Sequence, residues 1–366
     1  MEKELPTQNW QSLAMTDAFQ EATTEFAYDE DSAVCDLEDI HEFGKVYLPA
    51  VYISVFALGL VGNLLVVCAI MKGSHQKSIT DIFFLNLAVS DLLFVISLPF
   101  WAVSVVWGWT FGNIPCKIIT SFYYVGFFGA MFFITVISID RYLAIVWVAF
   151  SLKARKVIHG SLTTLGVWLV ALLISVPQFI FSQETEKICK PLYPPEFKEI
   201  WPIFCNVEMN VLGFLIPACV ISYCYFGIIR TLLLCKNNKK TRAIKLILVV
   251  VIVFFLFWTP YNVSIFLETL RHYELVDKCH IWIDYAMHAT ETLAFSHCCL
   301  NPVIYVFAGE KFRKYLHGLF QKCCSFICFC GPCGQRQAGS PTITLESVLI
   351  SNPTQNTSNQ EASVLL

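Results

Sequence analysis

Charge is what this sequence has least of. Only 14% of its 366 residues are Asp, Glu, Lys or Arg, against about 25% in a water-soluble domain. That shortfall excludes an ordinary soluble fold, whose surface such charges would cover. Other absences narrow the field. The chain has no paired carboxylates, metal-ligand set, phosphate-cradling glycine loop or nucleophile elbow, so the usual machinery of an enzyme is missing. No internal repeat divides it into matching halves, which argues against a transporter. Nucleic acid is not an expected partner.

Long apolar runs are present instead. Apolar residues make up 56% of the chain and aromatics 15%. A helix crossing a bilayer needs about 20 mainly apolar residues. Seven segments qualify, roughly 46–71, 79–106, 116–147, 157–181, 201–235, 242–268 and 282–307. The first lies behind an acidic leader and lacks a short basic n-region, so it reads as a span rather than a cleaved signal peptide. Backbone groups in hydrocarbon find no water, so each span is expected to be a helix. The expected fold is an all-α membrane protein, a seven-transmembrane helix bundle at 46–307. An acidic disordered extracellular leader (1–45) precedes it. A short amphipathic helix (308–320) and a cytosolic disordered tail (321–366) follow. Lys311, Arg313 and Lys314 of that helix would lie near anionic membrane lipid.

Lys and Arg set the orientation. One set of connections carries Lys72 and Lys77, then Lys153, Arg155 and Lys156, then Lys236, Lys239, Lys240 and Arg242. The opposite set is neutral or acidic. Residues 1–43 hold one lysine against twelve carboxylates, a formal balance of −11 that the whole-chain value of −3 conceals. The basic side is read as cytosolic and the N-terminus as outside. The leader is either a solvated tail or an electrostatic collector for a basic ligand.

Topology sorts the sixteen cysteines. Cys35, Cys116, Cys189 and Cys279 face the oxidising side and allow three pairings. The favoured one joins Cys116 to Cys189, tying the third helix to a loop, and Cys35 to Cys279, tying the leader to the last outer loop. Cys323 and Cys324 follow the expected surface helix and are candidates for palmitoylation rather than zinc.

Polar groups inside the spans are functional suspects, because charge in hydrocarbon is costly. Asp91, Asn63 and Asn301 lie in three apolar helices. They converge on a small hydrated pocket or serve as separate polar glue. One carboxylate there could hold a sodium ion, at Asp91 and Asn301, or a proton. Pro217, Pro260 and Pro302 each remove a backbone hydrogen bond and offer kinks in the last three helices. At the inner end of the third span stand Asp140, Arg141 and Tyr142, where Arg141 reaches a neighbouring helix, a cytosolic partner or the interface.

These residues resemble the rhodopsin-like G-protein-coupled receptors. The resemblance rests on Gly62–Asn63, "LAVSD" ending at Asp91, Asp140–Arg141–Tyr142, "FWTP" at 257–260 and "NPVIY" at 301–305, in order and each in its own span. Within that family "DRYLAIV", "SLPFW" at 97–101 and the Cys35/Cys279 pair resemble the chemokine receptors. "GFFGAMFFITVISIDRYLAIV" and "AIKLILVVVIVFFLFWTPYN" are most similar to the fractalkine-binding members of that group. Four departures are visible: Phe257 before Trp258, Ser97 opening the second-helix motif, Ala130 where a hydroxyl is common, and His297 near the polar pocket.

The resemblance implies a chemokine ligand and a heterotrimeric G protein of the inhibitory class, with arrestin and receptor kinases acting on a Ser/Thr-rich tail. Tyr28, among Asp29, Glu30 and Asp31, has the context tyrosine sulfation prefers. Tyr52, Trp101, Tyr123, Tyr124 and Tyr261 would line the path of the ligand's N-terminus, with Glu291 pairing its amine or a basic side chain. Phe254 and Trp258 would pass ligand occupancy to the sixth helix. Tyr225, Tyr305 and Arg141 would rearrange to open the inner face. A decoy receptor, binding without coupling, is the rival, and the intact Asp140–Arg141–Tyr142 speaks against it.

Overall fold

The computed structural model describes residues 38–72, 78–149, 157–234, 240–273, 275, 281–308 and the single positions 313, 315, 317, 318 and 321. Helices dominate: α1 Glu38–Lys72, α2 Ile79–Trp107, α3 Asn113–Val146, α4 Val157–Phe181, α5 Ile200–Leu234, α6 Lys240–His272, α7 Ile281–Ser296 and α8 Asn301–Ala308. Six of them, α1 to α6, are long and apolar enough to cross a membrane. The seventh span, expected as one run over 282–307, is instead two helices broken by a 3-10 turn at His297–Cys299. The turn is closed by Leu300 N–H donating to His297 O at 2.9 Å. Pro302, with no N–H to give, opens α8 without loss.

Two further boundaries differ from expectation. Helix α1 begins at Glu38, inside the stretch read as leader, because acidic residues are welcome in a first helical turn. In α5 a π turn at Val211–Leu215 adds a residue to the helical winding just before Pro217. Beyond Ala308 the described positions 313, 315, 317, 318 and 321 are helical. Tyr315 packs against the cluster of Tyr305, Val66 and Ala69, toward the C-terminal end of α1.

Several hydroxyl side chains are satisfied within their own helices, as suits hydrocarbon. Ser138 donates to Ile134 O at 2.9 Å, Thr135 to Met131 O at 2.8 Å, and Ser175 to Ala171 O at 2.8 Å. Leu165, Leu169, Leu172 and Leu173 of α4 stand exposed, a face suited to lipid rather than water. Inside, α3 packs against α2, α4 and α5. At Gly126 the α2 backbone comes so close that a Cβ would lie 2.6 Å from Phe94 N and 2.8 Å from Ser90 O.

Between α4 and α5 the chain forms a small antiparallel hairpin, β1 Ser182–Thr185 and β2 Ile188–Pro191. Its two-residue turn places Glu186 and Lys187 at φ 53° and 62°, the geometry that fits strand twist. The Cys116–Cys189 disulfide, with Cα atoms 5.6 Å apart, bolts β2 to the N-terminal end of α3. Trp109 N–H donates to Lys187 O, and Glu184 N–H donates to Asn113 Oδ1 at 3.2 Å. Nothing in the periodicity of 182–191 announces a hairpin.

Candidate functional site

Buried polar and aromatic groups form three stations along the bundle. At the first station, the one that the basic connections imply is outermost, Glu291 of α7 is 0% exposed. Its Oε2 accepts from Tyr52 Oη at 3.3 Å, while its Oε1 has no hydrogen-bond partner among the described residues. Tyr47 and Thr292 share a hydrogen bond of 2.8 Å on the same α1–α7 seam. Tyr123 and Tyr261 both lie within electrostatic reach of Glu291. Phe295 is the centre of the group, with ring centroids 5.7 Å from Tyr123, 5.9 Å from Tyr52 and 4.9 Å from Phe94. Tyr124 stands 5.0 Å from Tyr123. Trp101 belongs to the same buried core and packs 5.4 Å from Trp109.

At the middle station Trp258 lies 5.4 Å from Phe127 and 5.8 Å from His297. Phe254 stacks with Phe214, the ring that the α5 π turn delivers, at 6.1 Å. Just inward, Asn301 Nδ2 donates to Asp91 Oδ2 at 2.8 Å, and Asp91 is 2% exposed. Asn63 does not join this pair by a hydrogen bond. Its amide donates to Gly59 O at 2.9 Å and Cys298 O at 3.3 Å, holding α1 to the 3-10 turn. Gly62 allows the approach: a Cβ there would meet Pro302 at 2.9 Å.

At the third station Asp140 Oδ2 accepts from Thr80 Oγ1 at 2.8 Å, anchoring α3 to α2. Arg141 lies within electrostatic reach of both Tyr225 on α5 and Tyr305 on α8. Tyr305 also meets Asp81 and stacks edge-on with Phe84 at 4.6 Å. Tyr142 contacts Tyr223 at 5.6 Å, against Gly227. Tyr28, Asp29, Glu30, Asp31, Cys35, Cys279, Cys323 and Cys324 lie outside the described residues. Among the described residues no cluster of His, Cys, Asp and Glu is arranged to hold a metal.

Several residues in these stations are not legible in the sequence. Phe94 and Phe295 are indistinguishable there from lipid-facing phenylalanines, and Thr80 from any helical threonine. Glu208, Glu268, Arg271 and Asp284 do carry a signal, charge within or beside an apolar run, the same that marks Asp91. Arg271 ion-pairs with Glu268 and with Asp284, each at 2.9 Å. The triad joins the C-terminal end of α6 to the N-terminal end of α7.

Bundle, paired polar helices and stations together describe a membrane receptor. Residues 62–305 match the family model "7 transmembrane receptor (rhodopsin family)". The chain belongs to that family, whose members are receptors and not enzymes. It is 52% identical to CX3C chemokine receptor 1 of Homo sapiens over 360 residues, covering 96% of this chain and 100% of the relative. It is 52% identical to the same receptor of Bos taurus over 353 residues, covering 94% and 98%. It is 46% identical to C-C chemokine receptor type 4 of Homo sapiens over 318 residues, covering 85% and 88%. Within the family it is therefore a chemokine receptor of the CX3C type, a multi-pass protein of the plasma membrane.

Proposed function

We propose that this receptor binds a CX3C chemokine, fractalkine, at its outer face and activates a heterotrimeric G protein of the inhibitory class, driving chemotaxis, adhesion and calcium signalling. The single observation that carries the reading is the column of groups that runs from the buried Glu291 and Phe295, through the buried Trp258 and His297, to the Asp91–Asn301 bond and the half-buried Arg141. Such a column lets a ligand at one end bias an arrangement at the other. It does so only by its differential affinity for the two states.

The N-terminus lies outside and the C-terminus in the cytosol, an orientation supported by the basic connections on one side. The leader meets the basic chemokine body first, with Tyr28 sulfated and flanked by Asp29, Glu30 and Asp31. A second bridge, Cys35–Cys279, holds it over the bundle mouth. The chemokine's N-terminus then packs on Tyr52, Trp101, Tyr123, Tyr124 and Tyr261 and presents a cation to Glu291. Phe254, Trp258 and Pro260 carry the response. Asp140, Arg141, Tyr142, Tyr225 and Tyr305 release the inner end of α6 to admit the G-protein α-subunit. Receptor kinases and arrestin act on the tail, and palmitate on Cys323 and Cys324 holds the surface helix to lipid.

A sodium ion has partial support at Asp91 and Asn301. The carboxylate supplies charge and the amide an oxygen, while Ala130 brings no hydroxyl. An ion there would add positive charge between α2 and α8. Asp91 and Asn301, already bonded at 2.8 Å, hold those helices together without it.

The test is nucleotide exchange on purified inhibitory G protein with fractalkine and the receptor in lipid. Ligand-dependent exchange is expected. Tight binding with no exchange would instead mark a decoy receptor that internalises ligand without coupling.

A further inference from the structure

Two groups of buried acids differ in one respect. Glu268 and Asp284 have an internal cation, Arg271. Glu291 and Glu208 form no ion pair with any described residue. Glu208 sits on α5 with Pro202, Cys205 and Met209, the buried, bundle-facing side of that helix. It is 8% exposed, and its Oε2 has no hydrogen-bond partner among the described residues. The donors that a structural carboxylate would recruit are turned elsewhere. Gln178 Nε2 donates to Cys205 Sγ at 3.0 Å, and Tyr193 Oη lies 3.8 Å from the same sulfur. Across the bundle Glu291 keeps its own free oxygen. Tyr124 on α3 stands within electrostatic reach of both carboxylates. At 1.5 Å per residue the two acids lie roughly 12 and 15 Å below the outer ends of α5 and α7, so their depths are comparable.

A buried carboxylate with neither cation nor full hydrogen bonding costs several kcal/mol in isolation. Two of them, on different helices and each within electrostatic reach of Tyr124, make sense if a bound molecule supplies the missing positive charge. We propose that Glu208 is a second anionic contact of the ligand site, so that the segment entering the bundle carries two cationic groups, one for Glu291 on α7 and one for Glu208 on α5. In a polypeptide these are a free α-amine and a Lys, Arg or His side chain close to it. The inference rests on the chemokine reading above and adds to it a charge requirement and a second wall. A ligand with one cation leaves one acid unpaired and is disfavoured, which makes Glu208 a specificity-determining residue.

The experiment uses the full-length receptor in membranes and three forms of a recombinant CX3C chemokine: unmodified, acetylated at the α-amine, and with the basic side chain nearest the N-terminus replaced by Gln. Binding and nucleotide exchange are read on wild type, Glu208→Gln, Glu208→Asp and Glu291→Gln, each at matched surface level. Glu208→Gln should lose about tenfold in exchange potency for the unmodified chemokine, with Glu208→Asp retaining part of it. Each Gln variant should become insensitive to one ligand modification, and the two variants to different ones. Glu208→Gln responding to every form as wild type does would overturn the proposal. So would both variants losing sensitivity to the same modification. If Glu208→Gln does not reach the surface, wild type alone decides. Neutralising the second ligand cation after the first, in a fourth form that carries both changes, must cost about a further tenfold, and no further loss overturns the two-cation site. Wild-type receptor that binds none of the three forms refutes the chemokine reading itself, a failure distinct from the others.

Discussion

At Gly126 a single hydrogen atom sets the spacing of two helices. A methyl group there would press on Phe94 N and Ser90 O, which are backbone atoms with no rotamer to escape into. Gly126→Ala should destabilise the bundle by about 1–3 kcal/mol, the usual cost of overpacking, and lower the melting temperature of detergent-solubilised receptor. An unchanged melt would mean that α2 and α3 part more easily than their packing implies. Glu291 makes the opposite kind of claim, about function with folding preserved. Gln in its place keeps the shape and the Tyr52 hydrogen bond but removes the charge. Glu291→Gln is expected to lower nucleotide-exchange potency more than chemokine affinity. Equal losses in both assays would reduce Glu291 to a docking contact.

The seventh span shows what an element owes to pattern and what to context. Hydropathy places a single apolar run at 282–307, and the run is there. The break at His297–Cys299 is not legible in it, because the turn depends on Asn63 of α1 reaching Cys298 O and on Pro302 having no N–H. Likewise the π turn in α5 leaves no mark on periodicity, and the 182–191 hairpin owes its place to the disulfide and to Trp109 rather than to strand-like alternation. The family motifs name Asp91, Asn301, Arg141 and Trp258, and the structure sets them in one column. Asn63 goes to backbone carbonyls instead, and Trp101 packs on Trp109 within the same core as Tyr52, Tyr123 and Phe295. The C-terminal end of α6 and the N-terminal end of α7 are joined by Arg271, Glu268 and Asp284, and removing the central cation strands two buried carboxylates. Arg271→Gln should cost about 3–5 kcal/mol, read as lost thermal stability, with Asp284→Asn added in the double variant restoring part. Failure of the second change to restore anything would show that the triad does not couple α6 to α7.

For the whole molecule, charge is distributed rather than abundant. Residues 1–43 carry a formal −11 in a chain whose total is −3, so the remainder is positive and lies largely in the connections read as cytosolic. A fixed negative field at the mouth raises the local concentration of a basic protein and speeds its encounter. The effect fades as the Debye length shrinks from about 30 Å at 0.01 M salt to about 8 Å at 0.15 M. Contacts inside the bundle act after encounter and chiefly set how fast the ligand leaves. The two contributions therefore separate in kinetics. Replacing the leader carboxylates at 29, 30 and 31 with amides should slow fractalkine association at low salt several-fold and flatten its salt dependence, while the dissociation rate changes less. Glu291→Gln should do the reverse, leaving association and its salt slope intact and hastening release. Surface plasmon resonance on nanodisc-embedded receptor across a salt series distinguishes them. An association rate at low salt that ignores the leader substitutions would remove steering from the account and leave the acidic segment as a solvated tail.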